Sequence, residues 1–156
     1  MTRRVLFVCL GNICRSPLAE AAFREEAARI GLAAEADSAG TGGWHRGEPP
    51  DRRAVAAARR NGVDISHLRA RQVRPEDFQR FDQIIALDGE NLADLEALRP
   101  AGSRARLSLL LDHVPGREGE AVADPYYGGD GDFDMTWRDV TAGARALAEE
   151  LQREET

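Results

Sequence analysis

Cys9 and Arg15 stand six residues apart in the string Val8-Cys-Leu-Gly-Asn-Ile-Cys-Arg-Ser-Pro17, a spacing that lets one chain segment hold and attack a tetrahedral oxyanion. The planar fork of Arg15 matches two phosphate oxygens as a lysine point charge would not. A compact loop that feeds a helix N-terminus turns several backbone N–H groups inward, forming an anion nest backed by the positive end of the helix dipole. The same donors favour a thiolate at Cys9, which makes it a nucleophile beneath the bound anion. Ser16 is placed to donate a hydrogen bond to that sulfur and to steady it as a leaving group when a phosphocysteine breaks down. Asn12 tolerates left-handed dihedrals and, with Gly11, allows the tight curl that the nest requires. Leu10, Gly11, Ile13 and Cys14 complete the wall around the anion, Ile13 as an apolar face. In isolation Cys9 reads as a strand-end packing residue and Arg15 as a surface arginine; the complete string, set between a strand and a helix, carries the inference.

Departure of a phenolate or alkoxide needs a proton, and no histidine stands in or beside the Cys9 loop to supply it. A loop carboxylic acid is the expected source. Asp124 follows apolar Ala121-Val-Ala and is fixed by Pro125 on a long loop after the last expected strand, from which it can fold over the same sheet edge. Its role would alternate, protonating the leaving oxygen first and deprotonating the attacking water second. Taken alone, Asp-Pro is an ordinary turn. Tyr126 and Tyr127 beside the acid, and Trp44 on a distant glycine-rich loop, fit either aromatic walls around a flat phenyl group or anchors for their own loops.

The elements that must position these groups follow from periodicity. Val5 to Val8 is an unbroken apolar run, expected as a strand buried on both faces. Pro17 suits the first turn of the next helix, in which Ala19, Phe23, Ala27 and Ile30 share a face, Arg24, Glu25, Glu26 and Arg29 face away, and Gly31 ends the run. Ala33 to Ala39 is expected as a second strand. The segment from Gly40 to Pro50, with four glycines, two prolines and Trp44, is a loop. Asp51 to Asn61 reads as a helix, Pro75 to Arg80 as a helical turn, Gln83 to Leu87 as a buried strand, and Leu92 to Leu98 as a short helix before Pro100. Leu107 to Leu111 is the last expected strand, and Pro115 to Asp132 a long loop. Trp137, Val140, Ala144, Leu147 and Leu151 mark a final helix over Phe133 to Leu151. Strands alternating with helices imply right-handed crossovers and a mainly parallel sheet covered on both faces. In such folds ligands bind beyond the carboxyl ends of the strands, which is where the Cys9 loop falls.

Composition narrows the function classes. A chain of 156 residues, 42% hydrophobic and 31% charged, is expected to form one soluble domain over residues 1–156. With a net charge of −6, a broad grip on nucleic acid or on an anionic membrane is not expected, so any anion must be bound locally. The start at Met1-Thr-Arg-Arg lacks the pattern of a secretory signal, and a cytoplasmic location is expected. Two cysteines and three scattered histidines supply neither a disulfide framework nor the spacing of a zinc module, so no metal is expected.

The string Val8 to Pro17 resembles the phosphate loop of the low-molecular-weight protein tyrosine phosphatases. The resemblance extends through Asp37-Ser-Ala-Gly-Thr41, Trp44, Gly47-Glu-Pro-Pro-Asp51, Ala70-Arg-Gln72, Asp88 with Asn91-Leu92, and Asp124-Pro-Tyr-Tyr-Gly128. It implies an α/β fold of three layers: a four-stranded parallel sheet in the order 2-1-3-4, helices on both faces, and the phosphate-binding loop between the first strand and first helix. It also implies hydrolysis of phosphomonoesters without metal or cofactor through a phosphocysteine, with Cys9 as nucleophile, Arg15 as phosphate clamp and Asp124 as general acid. The substrate would be a tyrosine-phosphorylated protein or a small aryl phosphate, the protein a monomer or weak dimer, and Trp44, Tyr126 and Tyr127 recognition residues. Relatives specific for phosphoarginine tend to have Thr where Ile13 stands, so Ile13 favours phosphotyrosine.

Cys14 shares the loop with Cys9 and is either a buried packing residue or a redox partner that traps an oxidised Cys9 as a disulfide. The family's usual His before the x-Ala-Arg-Gln segment is replaced by Leu68, leaving His67 either to reach the loop or to lie on the surface. Competing functions on this pattern are arsenate reduction, which needs further cysteines after Cys14, and a phosphate-sensing or phosphoprotein-binding module without turnover, which needs neither Cys9 nor Asp124.

Overall fold

The computed structural model describes residues 1–155; Thr156, the last residue of the expected domain, lies outside them. Four parallel strands form one sheet in the order β2-β1-β3-β4, the expected 2-1-3-4. They are β1 (Arg3–Cys9), β2 (Ala34–Gly40), β3 (Gln83–Ala86) and β4 (Arg106–Leu109). The helices are α1 (Arg15–Ile30), α2 (Arg52–Arg60), the single turn α3 (Asp77–Arg80), α4 (Gly89–Leu98) and α5 (Asp130–Glu154).

β1 is central, so alternate side chains enter two different cores. Val5, Phe7 and Cys9 join the cluster built with α1, α2 and α5, while Leu6 and Val8 join the one built with α3 and α4. The Phe7 and Phe23 rings meet at 5.6 Å between centroids, locking α1 onto β1 and hence fixing where the chain between them must turn. Gly31 closes α1 in the left-handed conformation, at φ 70°.

Several boundaries differ from the sequence expectation. The last strand stops at Leu109, and Leu110–His113 form a 3₁₀ turn that sends Leu110 and Leu111 into the core. Apolar character alone could not separate a strand from a buried turn there. Ser108 Oγ lies 2.8 Å from His113 Nε2, whose Nδ1 lies 3.1 Å from a Glu150 carboxylate oxygen, tying this turn to α5. α5 starts three residues early, at Asp130, because the Asp132 carboxylate accepts from the Gly129 N–H and caps the helix. Glu26 does not face away from the body: it is buried against α5, where Arg145 Nε and Arg29 reach its carboxylate at 3.2 and 2.9 Å. No helix among the described residues is long and apolar enough to cross a membrane.

Candidate active site

The segment from Cys9 to Ser16 leaves the carboxyl end of β1 and enters α1. Its curl depends on Asn12, whose φ of 58° is the one left-handed non-glycine backbone among the described residues. The Asn12 side chain is buried and fully employed. Its Nδ2 donates to Ser16 Oγ at 2.8 Å and to Ser38 Oγ at 3.0 Å, and its Oδ1 accepts from the Arg71 N–H at 3.0 Å. Gly40 at the end of β2 lets the loop come close: a Cβ there would lie 2.7 Å from the Leu10 carbonyl oxygen. The Asp51 N–H donates to the Ile13 carbonyl at 2.9 Å, joining the loop to the start of α2.

Asn12 and Ser16 therefore lie beneath the loop rather than in its mouth. Ser16 Oγ is 3.0 Å from Cys9 Sγ. The support continues outward through Ser38 Oγ, which donates to the buried Glu20 carboxylate at 2.7 Å, itself paired with Arg24 at 2.7 Å. Burial raises the Glu20 pKa, and the Ser38 hydroxyl and Arg24 oppose the rise. Arg71 adds a second brace, bridging Asp37 at 3.1 Å and Asp77 at 3.0 Å.

Arg15 is only 3% exposed. Its Nη1 donates to Asp88 Oδ2 at 2.7 Å and to the Val122 carbonyl at 3.0 Å, and its Nη2 faces Asp124 Oδ2 at 3.8 Å. Burial opposes its charge, but Cys9, Asp88 and Asp124 outweigh that cost and hold it firmly cationic. Arg15 lines the cleft, and with Nη1 committed to the protein the Nε–Nη2 edge is the one left to take an anion there.

Asp124 sits in a turn closed by the Tyr126 N–H on its Oδ1, at 3.1 Å, and by the Gly128 N–H on the Pro125 carbonyl, at 2.9 Å. Val122 is held from below, its N–H on the Leu87 carbonyl at 2.8 Å. The loop after the last strand thus folds over the sheet edge that carries Cys9. Tyr126 and Tyr127 pack edge to face at 5.0 Å, yet Tyr127 is 95% exposed and Trp44 is 70% exposed. Much of each ring is therefore left facing outward. They stand as the rim of a cleft of about 240 Å³ whose walls comprise Cys9, Leu10, Gly11, Ile13, Cys14, Arg15, Trp44, His45, Asp124, Tyr126 and Tyr127.

His45 corrects the expectation that no histidine stands beside the loop. A Cβ on Gly11 would lie 3.1 Å from its ring, and its Nδ1 is 3.2 Å from a Glu48 carboxylate oxygen. His67 lies exposed on the surface, away from this cleft, and Leu68 packs against the core. Cys9 and Cys14 are both buried free thiols. Burial pushes the Cys14 pKa well above the usual thiol range, with the Asp51 carboxylate adding to the effect.

The model of the family described as low molecular weight phosphotyrosine protein phosphatase matches residues 4–156. The chain belongs to this family. It is similar to the low molecular weight phosphotyrosine protein phosphatase of Schizosaccharomyces pombe, 47% identical over 133 residues, which is 83% of this chain and 85% of that protein. The human protein of the same name is 41% identical over 152 residues, 95% of each chain. The crystal structure of YfkJ from Bacillus subtilis superposes with a TM-score of 0.92 at 42% identity, covering 100% of this chain and 98% of that one.

Within this low molecular weight phosphatase, sequence reasoning missed roles for Asp88, Ser38 and Arg71. All three lie in segments already quoted for the resemblance, but the partners that tie them to the loop are remote in sequence. Arg15 and Asp88, for example, are 73 positions apart.

Proposed function

We propose that this chain hydrolyses phosphotyrosine and related aryl phosphomonoesters through a phosphocysteine, with Cys9, Arg15 and Asp124 as its catalytic residues. The observation that carries the proposal is the convergence of three groups on one aromatic-rimmed cleft: a buried thiol touched by a hydroxyl, a pinned arginine, and a half-exposed loop carboxyl 3.8 Å from that arginine.

In the first step the Cys9 thiolate attacks phosphorus, the S–P bond forms, and the P–O bond to the phenol breaks. Asp124, as the carboxylic acid, gives its proton to the departing oxygen. The Arg15 edge and the backbone N–H groups of residues 10–15 hold the equatorial oxygens, where charge gathers in the transition state. In the second step the Asp124 carboxylate takes a proton from water, the water oxygen attacks phosphorus, and the S–P bond breaks. Inorganic phosphate leaves and Cys9 returns as the thiolate, steadied by Ser16. The scheme closes with the residues of this chain alone and calls for no metal or cofactor.

Trp44, Tyr126, Tyr127 and Ile13 form apolar walls that suit a flat phenyl ring standing over the loop. A tyrosine-phosphorylated protein is the proposed partner, and the cytoplasm the proposed location.

The test is phosphate release in the presence of EDTA from p-nitrophenyl phosphate and from phosphotyrosine, phosphoserine and phosphoarginine peptides, for the wild type, Cys9→Ser, Asp124→Asn and His45→Gln. Tyrosine-selective release, abolished by Cys9→Ser, strongly reduced by Asp124→Asn and largely retained by His45→Gln, is the expected result. Phosphate binding without release in the wild type would make the loop a sensor site instead.

A further inference from the structure

Asp124 is held from two sides. Upstream, Val122 is tied to Arg15 and to the Leu87 carbonyl. Downstream, the holding group is Arg53, one residue into α2. Its Nη2 donates to the Tyr126 carbonyl and its Nη1 to the Gly128 carbonyl, each at 2.9 Å. The same guanidinium is clamped by Asp51, with Nε and Nη2 each 3.0 Å from a carboxylate oxygen. It lies over the Phe133 ring at 4.6 Å and the Tyr126 ring at 5.6 Å. Asp51 in turn donates its backbone N–H to the Ile13 carbonyl at 2.9 Å. One continuous path therefore runs from the phosphate loop, through Asp51 and Arg53, to the backbone on the far side of Asp124.

We infer that Arg53 is a positioning residue that sets the distance between the acid loop and the phosphate loop, and so keeps the Asp124 carboxyl in line with the leaving oxygen. The inference rests on the proposed role of Asp124 as the general acid. Among the described residues nothing but Arg53 bridges the two downstream carbonyls to α2, and a guanidinium alone can reach two carbonyls and a carboxylate at once. Loosening the loop misplaces the proton donor while leaving the phosphate nest whole. The cost then falls on substrates that need the proton most, because acid catalysis matters more as the leaving group becomes more basic.

The experiment compares kcat/KM, which reports P–O cleavage, for p-nitrophenyl phosphate and for phenyl phosphate, the poorer leaving group. The enzymes are the wild type, Arg53→Met, Arg53→Lys, Asp124→Asn and the Arg53→Met/Asp124→Asn double variant, each with its inhibition constant for inorganic phosphate. We expect Asp124→Asn and the Arg53 variants to lose about tenfold more on phenyl phosphate than on p-nitrophenyl phosphate. Inhibition by phosphate should change by less than about twofold in the Arg53 variants, and the double variant should be no slower than Asp124→Asn alone, as for groups that act as a unit. Arg53→Lys keeps the charge and the stem over Phe133, and carries the test if Arg53→Met does not fold. Equal losses on the two substrates, or additive losses in the double variant, would overturn the positioning role. If Asp124→Asn itself shows no preference between the substrates, the acid assignment fails and this inference falls with it. A selective loss in Asp124→Asn beside a uniform loss in the Arg53 variants sinks only the role of Arg53.

Discussion

The Ser16 hydroxyl lies 3.0 Å from the Cys9 sulfur, and its own geometry directs its proton there. Ser16 Oγ already accepts from Asn12 Nδ2 at 2.8 Å, so its single hydrogen is left for Cys9 or for the more distant Ala39 carbonyl at 3.5 Å. Once Cys9 is ionised, Ser16 is the donor. A hydrogen bond to a charged group contributes about 1.5–3 kcal/mol. Ser16→Ala should therefore slow turnover by roughly tenfold to a hundredfold, mainly by hindering departure of the sulfur from the phosphocysteine. Rapid mixing with p-nitrophenyl phosphate should show a burst of nitrophenol followed by a slow steady state. Unchanged turnover would contradict the assignment.

Arg15 has two tasks, and lysine can do only one. Its Nη1 is spent on Asp88 and the Val122 carbonyl, which leaves the opposite edge for two phosphate oxygens. A lysine ammonium has no second edge. Arg15→Lys keeps the charge, yet should lower kcat/KM by at least about a hundredfold, the scale of losing a transition-state donor. Inhibition by inorganic phosphate should weaken in parallel. Turnover near that of the wild type would rule out a two-pronged clamp.

What could be read from the sequence was local. The run Val5 to Val8, the string Cys9 to Pro17 and the stripe from Trp137 to Leu151 each carry their own period or spacing, and the structure places all three as expected. The burial of Glu26 is not legible in the sequence because its partner Arg145 is 119 positions away, and a carboxylate gives no periodic hint that it will be buried with a pair. The strand end at Leu109 is not legible either, because Leu110 and Leu111 are as apolar as a strand. His45 stands far from Cys9 in sequence, and only the folded glycine-rich loop brings it, beside Trp44, to the same rim. Arg53 has a local partner in Asp51, two residues before it, but the two carbonyls it holds are 73 and 75 positions away and leave no sequence signal, since every residue has one.

Asn12 should prove structural before it proves catalytic. Its side chain makes three buried hydrogen bonds while its backbone occupies the left-handed region. Asn12→Ala loses all three and still has to adopt φ near 58°, a conformation that costs an alanine about 1–2 kcal/mol. With each of the three lost buried bonds near 1 kcal/mol, the total should approach about 4–5 kcal/mol. Asn12→Gly spares the backbone strain and should be the more stable of the two by about 1 kcal/mol. Urea denaturation of the pair measures the difference. Equal stabilities would mean that the strain is relieved by movement of the loop.

Cys14 shares the loop with Cys9, and both are buried free thiols. We propose that peroxide converts Cys9 to a sulfenic acid and that the Cys14 sulfur then displaces water from it to form a disulfide, which a dithiol reduces again. The attacking species is the thiolate. Burial first, then Asp51 and Cys9, raise the Cys14 pKa above its ordinary value of 9.0, so near neutrality the group is almost wholly the thiol. Closure should be slow at neutral pH and should quicken steadily as pH rises through the alkaline range. The same shift acts on stability. A group whose pKa is raised in the folded state stabilises the fold fully below its unfolded value and loses that contribution as pH climbs above it. Wild-type stability should thus decline above about pH 9, and more steeply than that of Cys14→Ala. After peroxide treatment, dithiothreitol should restore the wild type, with recovery increasing with the pH of oxidation, while Cys14→Ser recovers poorly at every pH. Equal recovery in the two proteins would leave Cys14 as a packing residue alone.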